Sequence, residues 1–304
     1  MRRGASTDAV AVRAAGGLGL ALAVLAAAPG SALAAGADSP GLGVEVSFTS
    51  DDNVNRGAEG DTLSDRVLGL RLNASAVVPI STRTRAVIQG FAGTDRFNTY
   101  TGLSRNYIGA QGDFKFRASG DFGAATWGAF VRTAAEYYQS DLRDGYRHAF
   151  GVNVAKPVTD RVQVFGALSG NITDGSSTVF DTKNVSLRGN ADWSFTRWDV
   201  AYLGLEYRQG DIVSSMQPTL ATAGISPSIA DDAFNDGREA YRFKARTWIA
   251  TLGYNHAFGA GHSVDLAWRR AQATALDSSS GSSYSPVNLF FTFSFWVYAL
   301  TLSM

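Results

Sequence analysis

Residues 183–211, KNVSLRGNADWSFTRWDVAYLGLEYRQGD, decide the fold. In the first half, Val185, Leu187, Gly189, Ala191 and Trp193 alternate with Asn184, Ser186, Arg188, Asn190 and Asp192, a period of two that puts the two sets on opposite faces of a strand. In the second half, Ala201, Leu203, Leu205 and Tyr207 share the apolar face, and Tyr202, Gly204, Glu206 and Arg208 the polar one. The pattern predicts a β-hairpin. A soluble sandwich alternates in the same way, so two further features decide. Trp193, Phe195 and Trp198 gather at the turn, where a transmembrane barrel carries an interfacial girdle. The polar face holds full charges, which suit a water-filled lumen better than a dry core.

The rest of the chain repeats this unit. Alternating stretches near 42–49, 66–78, 85–95, 106–116, 127–138, 147–154 and 161–171 precede the hairpin, and stretches near 241–256, 264–269 and 287–304 follow it. The face of the third is left open, because Gly90 and Gly93 blur its pattern. In the tenth, Arg242, Lys244 and Arg246 fall in register with Leu252 and Tyr254, which predicts a bulge near Thr247 that turns the cations inward. Connections alternate in length. Pro79 to Thr82, Ser119 to Gly123, Lys156 to Asp160, Ser194 to Arg197 and Gly259 to His262 are short; those between them are mostly longer and more polar, the longest running from Ile212 to about Glu239. Outer-membrane barrels sort their connections this way and have an even strand count, whereas a sandwich has no reason to. The expected fold is all-β: one antiparallel up-and-down transmembrane barrel of about twelve strands, residues 35–304.

Residues 1–34 read as a cleaved secretory signal, with Arg2, Arg3 and Arg13 ahead of an apolar run from Gly16 to Ala28 and a small-residue site at Ala32-Leu33-Ala34. The apolar run is too short to span a membrane as a helix. Basic and acidic residues balance at 27 each, which argues against a nucleic-acid partner. The absence of cysteine excludes disulfides, a lipid anchor at cysteine and thiolate metal sites.

The expected inward face carries Arg71, Asp113, Lys115, Arg132, Glu136, Arg147, Arg188, Asp192, Glu206, Arg208, Lys244, Arg246, Asp265 and Arg269. Either these charges line a water-filled channel whose cations favour anionic solutes, or they pair across strands and fill a narrow lumen. Trp127, Trp193, Phe195, Trp198 and Trp268 are the expected interfacial aromatics. Asp51, Asn53 and Asn55 place oxygens at alternate positions like a calcium loop, but Arg56 stands where an EF-hand needs glycine and Thr62 where it needs glutamate, so a solvated loop is the better reading. Asp231, Asp232, Asp236 and Glu239 are read the same way, and no metal or cofactor is expected. For catalysis only His148, with Ser140 and Asp141 in the adjacent loop, offers a constellation, and its parity turns it outward, so no enzymatic activity is expected.

The stretches Ser50-Asp51-Asp52-Asn53-Val54-Asn55-Arg56 and Glu206-Tyr207-Arg208-Gln209-Gly210-Asp211 resemble proteobacterial outer-membrane β-barrels, the first being similar to the barrel part of surface-lipoprotein assembly modifiers, whose amino-terminal helical repeats have no counterpart here. The resemblance implies export to the outer membrane of a Gram-negative cell. The partners expected there are outer-membrane lipid and lipopolysaccharide, the barrel-assembly machinery and small solutes. A passive porin-like channel for small hydrophilic solutes is the first functional expectation. A non-conducting anchor or accessory in surface export, acting through the 212–239 connection, is the alternative.

Overall fold

A strand crossing lipid has no water for its backbone N–H and C=O groups, so both of its edges must be paired, and a sheet meets that demand only by returning on itself. The computed structural model describes residues 41–58, 60–219, 222, 225, 227–259, 262–276 and 290–298; for residues 259 and 290–298 it describes the backbone only. The signal read at 1–34, most of the loop after Ala275 and the last six residues lie outside these. The strands are β1 (Gly41–Asp51), β2 (Asp65–Ser81), β3 (Thr84–Phe97), β4 (Arg105–Arg117), β5 (Thr126–Tyr138), β6 (Gly145–Pro157), β7 (Val162–Gly175), β8 (Thr182–Ser194), β9 (Asp199–Met216), β10 (Ser228–Ala230), β11 (Glu239–Gly259), β12 (His262–Ala275) and β13 (Phe290–Tyr298).

Consecutive strands pair antiparallel from β1 to β9; β11 joins β9 to β12, and β13 joins β12 to β1. The pairings therefore form a ring, with the short β10 added beside the start of β11. Followed once round the ring, the registers return to β1 displaced by roughly 16 residues, a stagger that belongs with strands tilted by about 45°.

The outer face is apolar. Leu68, Leu70, Ile88, Phe114, Val131, Phe150, Val152, Leu168, Leu187, Leu203, Leu205 and Leu252 are all exposed, a pattern that costs nothing only if the solvent around the wall is lipid. Aromatics mark two levels. Trp127, Trp193, Phe195, Trp198 and Phe258 stand at the short-turn end, and Tyr137, Tyr146 and Trp248 at the other. Trp248 and Phe258 are ten residues apart on one strand, about 25 Å at that tilt, which matches the height of a barrel's apolar band. Trp268, expected at an interface, instead lies midway along β12 beside Leu252.

Two expectations about faces are resolved. In β3, Phe91 is buried inside and Ile88 is exposed outside, so Gln89, Phe91 and Asp95 point into the barrel. In β11 the register with β9 runs unbroken from Glu239 to His256, with no bulge at Thr247. Lys244 and Arg246 therefore share the outward face with Trp248, and their assignment to the lumen is corrected. The 212–239 connection is also shorter than read, because β9 continues to Met216 and β10 forms within it.

Inward glycines let aromatic rings lie flat against the wall. A Cβ on Gly253 would sit 2.0 Å from Cζ of Tyr202, and one on Gly109 would sit 2.5 Å from Cζ of Phe91. The ring cannot stay where it is once the glycine gains a side chain. Gly253→Ala is expected to displace Tyr202 from its 2.7 Å hydrogen bond to Asp265 and to destabilise the barrel by about 1–3 kcal/mol. Urea unfolding followed by tryptophan fluorescence checks this; an unshifted midpoint would show that Tyr202 yields freely.

Candidate lumen site and its cap

The remaining charged residues read as inward lie on the inner face: Arg71 on β2, Asp113 and Lys115 on β4, Arg132 and Glu136 on β5, Arg147 on β6, Arg188 and Asp192 on β8, Glu206 and Arg208 on β9, and Asp265 and Arg269 on β12. When the stagger is distributed round the ring, they sort into tiers. Nearest the long loops, Glu136 accepts from Arg105 at 2.9 Å and from Arg147 at 3.0 Å, Arg105 also bonds Asp95 at 2.8 Å, and Arg208 bonds Glu206 at 2.6 Å. Nearest the short turns lie Asp113, Asp192 and Lys115, with Asp113 and Asp192 accepting from the amides of Gln111 and Asn190.

The middle tier differs in kind. Arg71, Arg132 and Arg188 fall at one level, with Arg269 just above, and among the described residues none of the four makes an ion pair. Phe91 lies between two of them: the Arg71 guanidinium stands 4.7 Å and that of Arg132 4.4 Å from its ring centroid. Nε of Arg71 is buried without a hydrogen-bond partner. Stacking on the ring partly replaces the lost solvation of both cations while leaving their charge uncancelled. On the facing wall, Arg188 and Arg269 are solvent-exposed although they point inward, so the space they face is open. A cavity of about 220 Å³ lies there, lined by Arg188, Tyr202, Glu206, Thr251 and Arg269. Glu45 and Asp265 are the acids just below this level, and Glu206, itself bonded by Arg208, stands directly opposite Arg188 in the β8–β9 register. Of the two readings of the inner charges, pairing describes the upper tier and open, uncancelled cations the middle.

The long-loop end is covered. In the connection between β9 and β11, among its described residues, Phe234 reaches Tyr100 at the β3–β4 connection, ring centroids 5.1 Å apart. In a ring of twelve those two sites are diametrically opposite, so the segment crosses the whole mouth. Val54, Leu63, Phe97, Leu103 and Ala233 pack round that contact. Gly102 is required beneath it, because a Cβ there would come 2.5 Å from Cα of Ala233.

Polar clasps hold the crossing segment. Arg143, in the β5–β6 connection, donates two bonds of 2.6 Å to the Asp231 carboxylate, whose side chain is 0% exposed. Ser215 and the amide of Ala233 also donate to Asp231, and Ser140 donates to Asp232. Arg238 bonds both Asp61 and Asp236 at 2.7 Å. Burial alone would raise the Asp231 carboxyl, but the Arg143 guanidinium and the Ser215 hydroxyl outweigh it and hold the carboxyl below the usual aspartate range.

The loop that resembles a calcium site is part of the same construction. Asn53 caps it by donating to the carbonyl of Gly57 and accepting from its amide, and Asn55 donates to the carbonyls of Asp61 and Ser215 and accepts from the amide of Leu63. Asp51 pairs with Arg56 at 2.9 Å. The oxygens are spent on the fold, and among the described residues no cluster could hold a metal ion. His148 points outward as expected; its ring contacts Thr133, while the Ser140 hydroxyl goes to Asp232, so the three groups read as a catalytic possibility are not brought together.

Sequence reasoning missed Phe91, Arg105, Asp95 and the Arg143–Asp231 clasp. Phe91 was hidden by the flanking glycines of β3. The clasp joins residues far apart in sequence, and no local signal announces it.

No protein-family model matches the chain, and no curated protein matches it in sequence. Solved structures with a similar fold include an outer-membrane channel from Pseudomonas putida F1, 13% identical with a TM-score of 0.56, the match covering 90% of this chain and 100% of that one. Others are the KdgM porin in complex with oligogalacturonate (9% identical, TM-score 0.39, 83% and 98% covered) and the TodX monoaromatic hydrocarbon channel (11%, 0.43, 91% and 93%). The first carries the likeness, and what it shows is the fold: the chain is built as an outer-membrane β-barrel.

Proposed function

We propose that the protein is a passive outer-membrane channel for small hydrophilic anions, exported with its signal removed and oriented with the long loops outward and the short turns toward the periplasm. The observation that carries this reading is the middle tier of Arg71, Arg132, Arg188 and Arg269, four lumen cations round open space that form no ion pair among the described residues. A structural charge network would have cancelled them, as the upper tier is cancelled. The Pseudomonas putida F1 protein of similar fold is an outer-membrane channel, which agrees with a conducting role. The anchor reading is disfavoured because Ala233 and Phe234, in the connection it relies on, pack over the mouth against Val54 and Tyr100.

Purified protein in a planar bilayer is expected to give discrete conductance steps, and a salt gradient a reversal potential on the anion side. Absence of steps at any voltage would overturn the channel reading. Steps with a cation-side potential would overturn the anion preference alone.

A further inference from the structure

The correction of Lys244 and Arg246 to the outer face leaves two cations pointing away from the barrel just above the Trp248 level, a position that needs an explanation. They do not stand alone. On β8, beyond the intervening β9, Lys183 is exposed on the same face, and on β9 and β12 the outward positions beside Arg246 are Gln209 and Thr274. At the tilt of the strands, Lys183, Arg246 and Lys244 occupy a band from roughly 3 to 9 Å beyond Trp248, on the long-loop side. Asp211 is the acid among them; it lies opposite Lys244 in the register but accepts from the backbone amide of Lys183 at 3.0 Å, and it forms no ion pair with either ammonium. Immediately below, Tyr207 and Trp248 pack with ring centroids 4.8 Å apart and fix the level at which the acyl region ends.

Three cations on either side of β9 on an outward wall, just past the aromatic level, would be an unexplained exposed patch if water surrounded them. In a bilayer they lie at headgroup depth, where they meet phosphate. We propose that the β8–β9–β11–β12 face binds the phosphates of a phosphorylated glycolipid of the outer leaflet, lipopolysaccharide, with Lys183, Lys244 and Arg246 as ligands and the Tyr207–Trp248 pair against its acyl chains. Lysine supplies point charges and arginine a two-pronged donor, the two modes by which proteins hold phosphate. The glycolipid is chosen over a phospholipid because the ligands stand on two strands, β8 and β11, held roughly 10 Å apart by the intervening β9, the spacing of a headgroup carrying more than one phosphate. The assignment rests on the outward orientation of the long loops proposed above, and not on conduction.

The test adds lipid A in increasing amounts to detergent-solubilised protein and follows binding by native mass spectrometry. Wild-type protein is expected to retain lipid A, and K183Q/K244Q/R246Q to bind it roughly a hundredfold more weakly, from about fivefold per surface cation. Dephosphorylated lipid A is expected to bind wild-type protein as weakly as lipid A binds the variant. Equal affinity of wild type and variant would overturn the site. Equal retention of phosphatidylglycerol would overturn the glycolipid and leave only a general attraction to anionic headgroups. These side chains face away from the lumen, so unchanged conductance of the variant reports an intact barrel and keeps failure here distinct from failure of the channel reading.

Discussion

Replacing residues 217–238 by a two-residue turn is expected to raise single-channel conductance severalfold. The surgery suits the wall, because Met216 and Glu239 are directly opposite partners in the β9–β11 register and a tight hairpin link spans them. What is removed is the segment that crosses the mouth to Tyr100, together with Asp231 and Arg238; the ring of wall strands is untouched. A point variant reaches the same state by another route. In Arg143→Ala the fully buried Asp231 carboxylate loses its guanidinium partner, a change that costs about 3–5 kcal/mol when a buried pair is broken from one side. The cap is then held by Arg238, the Phe234 cluster and the hydroxyl bonds of Ser140 and Ser215, with a buried carboxylate that no cation balances, and frequent transitions to a larger conductance are expected. Acid is expected to have the same effect in wild-type protein. The folded-state pKa of Asp231 is depressed, so the stability it contributes is fully present above the ordinary aspartate range and is lost as pH falls through the lower folded value. Flickering is therefore expected to begin in the acid range in wild type, and to be present already at neutral pH in Arg143→Ala. If both variants conduct like wild type at every pH, the cap does not limit passage.

The wall was legible in the sequence because lipid enforces strict alternation: any slip by one residue would turn a whole row of leucines inward. Where that pressure slackens, reading failed. Lys244 and Arg246 share a parity with Leu252, and charge was weighted over register; the uninterrupted pairing from Glu239 to His256 shows that strands keep their face beyond the bilayer, where outward residues become polar. Phe91 was lost for a related reason, since an inward aromatic stacked under arginines looks like a lipid-facing one when only its own strand is considered. The cap was not legible at all. Asn53 and Asn55 were visible as oxygen donors, yet that they fasten a loop to Gly57, Asp61 and Ser215 depends on contacts up to 160 residues away. Loop closure of that kind is set by three-dimensional proximity at the barrel rim, which local periodicity does not encode.

Reversing the middle tier is expected to invert the selectivity of the lumen. Arg71, Arg132, Arg188 and Arg269 against Glu45 and Asp265 leave about two uncancelled positive charges round the same level. At about 10 Å in water each is worth about 0.4 kcal/mol to a passing anion and costs a cation as much. In dilute salt, where screening extends over about 30 Å, the sum favours anions over cations about sevenfold at that level. Arg71→Glu, Arg132→Glu and Arg188→Glu together turn this excess into a deficit of about four charges, and the anion-to-cation permeability ratio is expected to fall by on the order of tenfold or more and to cross unity. The corresponding Gln triple removes charge without adding any and should give a ratio between those of wild type and the Glu triple, near or below one, which separates electrostatics from any change in lumen width. Losing the two guanidinium contacts to Phe91 costs about 0.5–1 kcal/mol each, too little to unfold a closed ring, and discrete conductance steps from the variants confirm that the wall has formed. A ratio unmoved by both triples would place the selectivity in the upper tier or the cap, where Glu136 and Asp95 are already paired with Arg105 and Arg147.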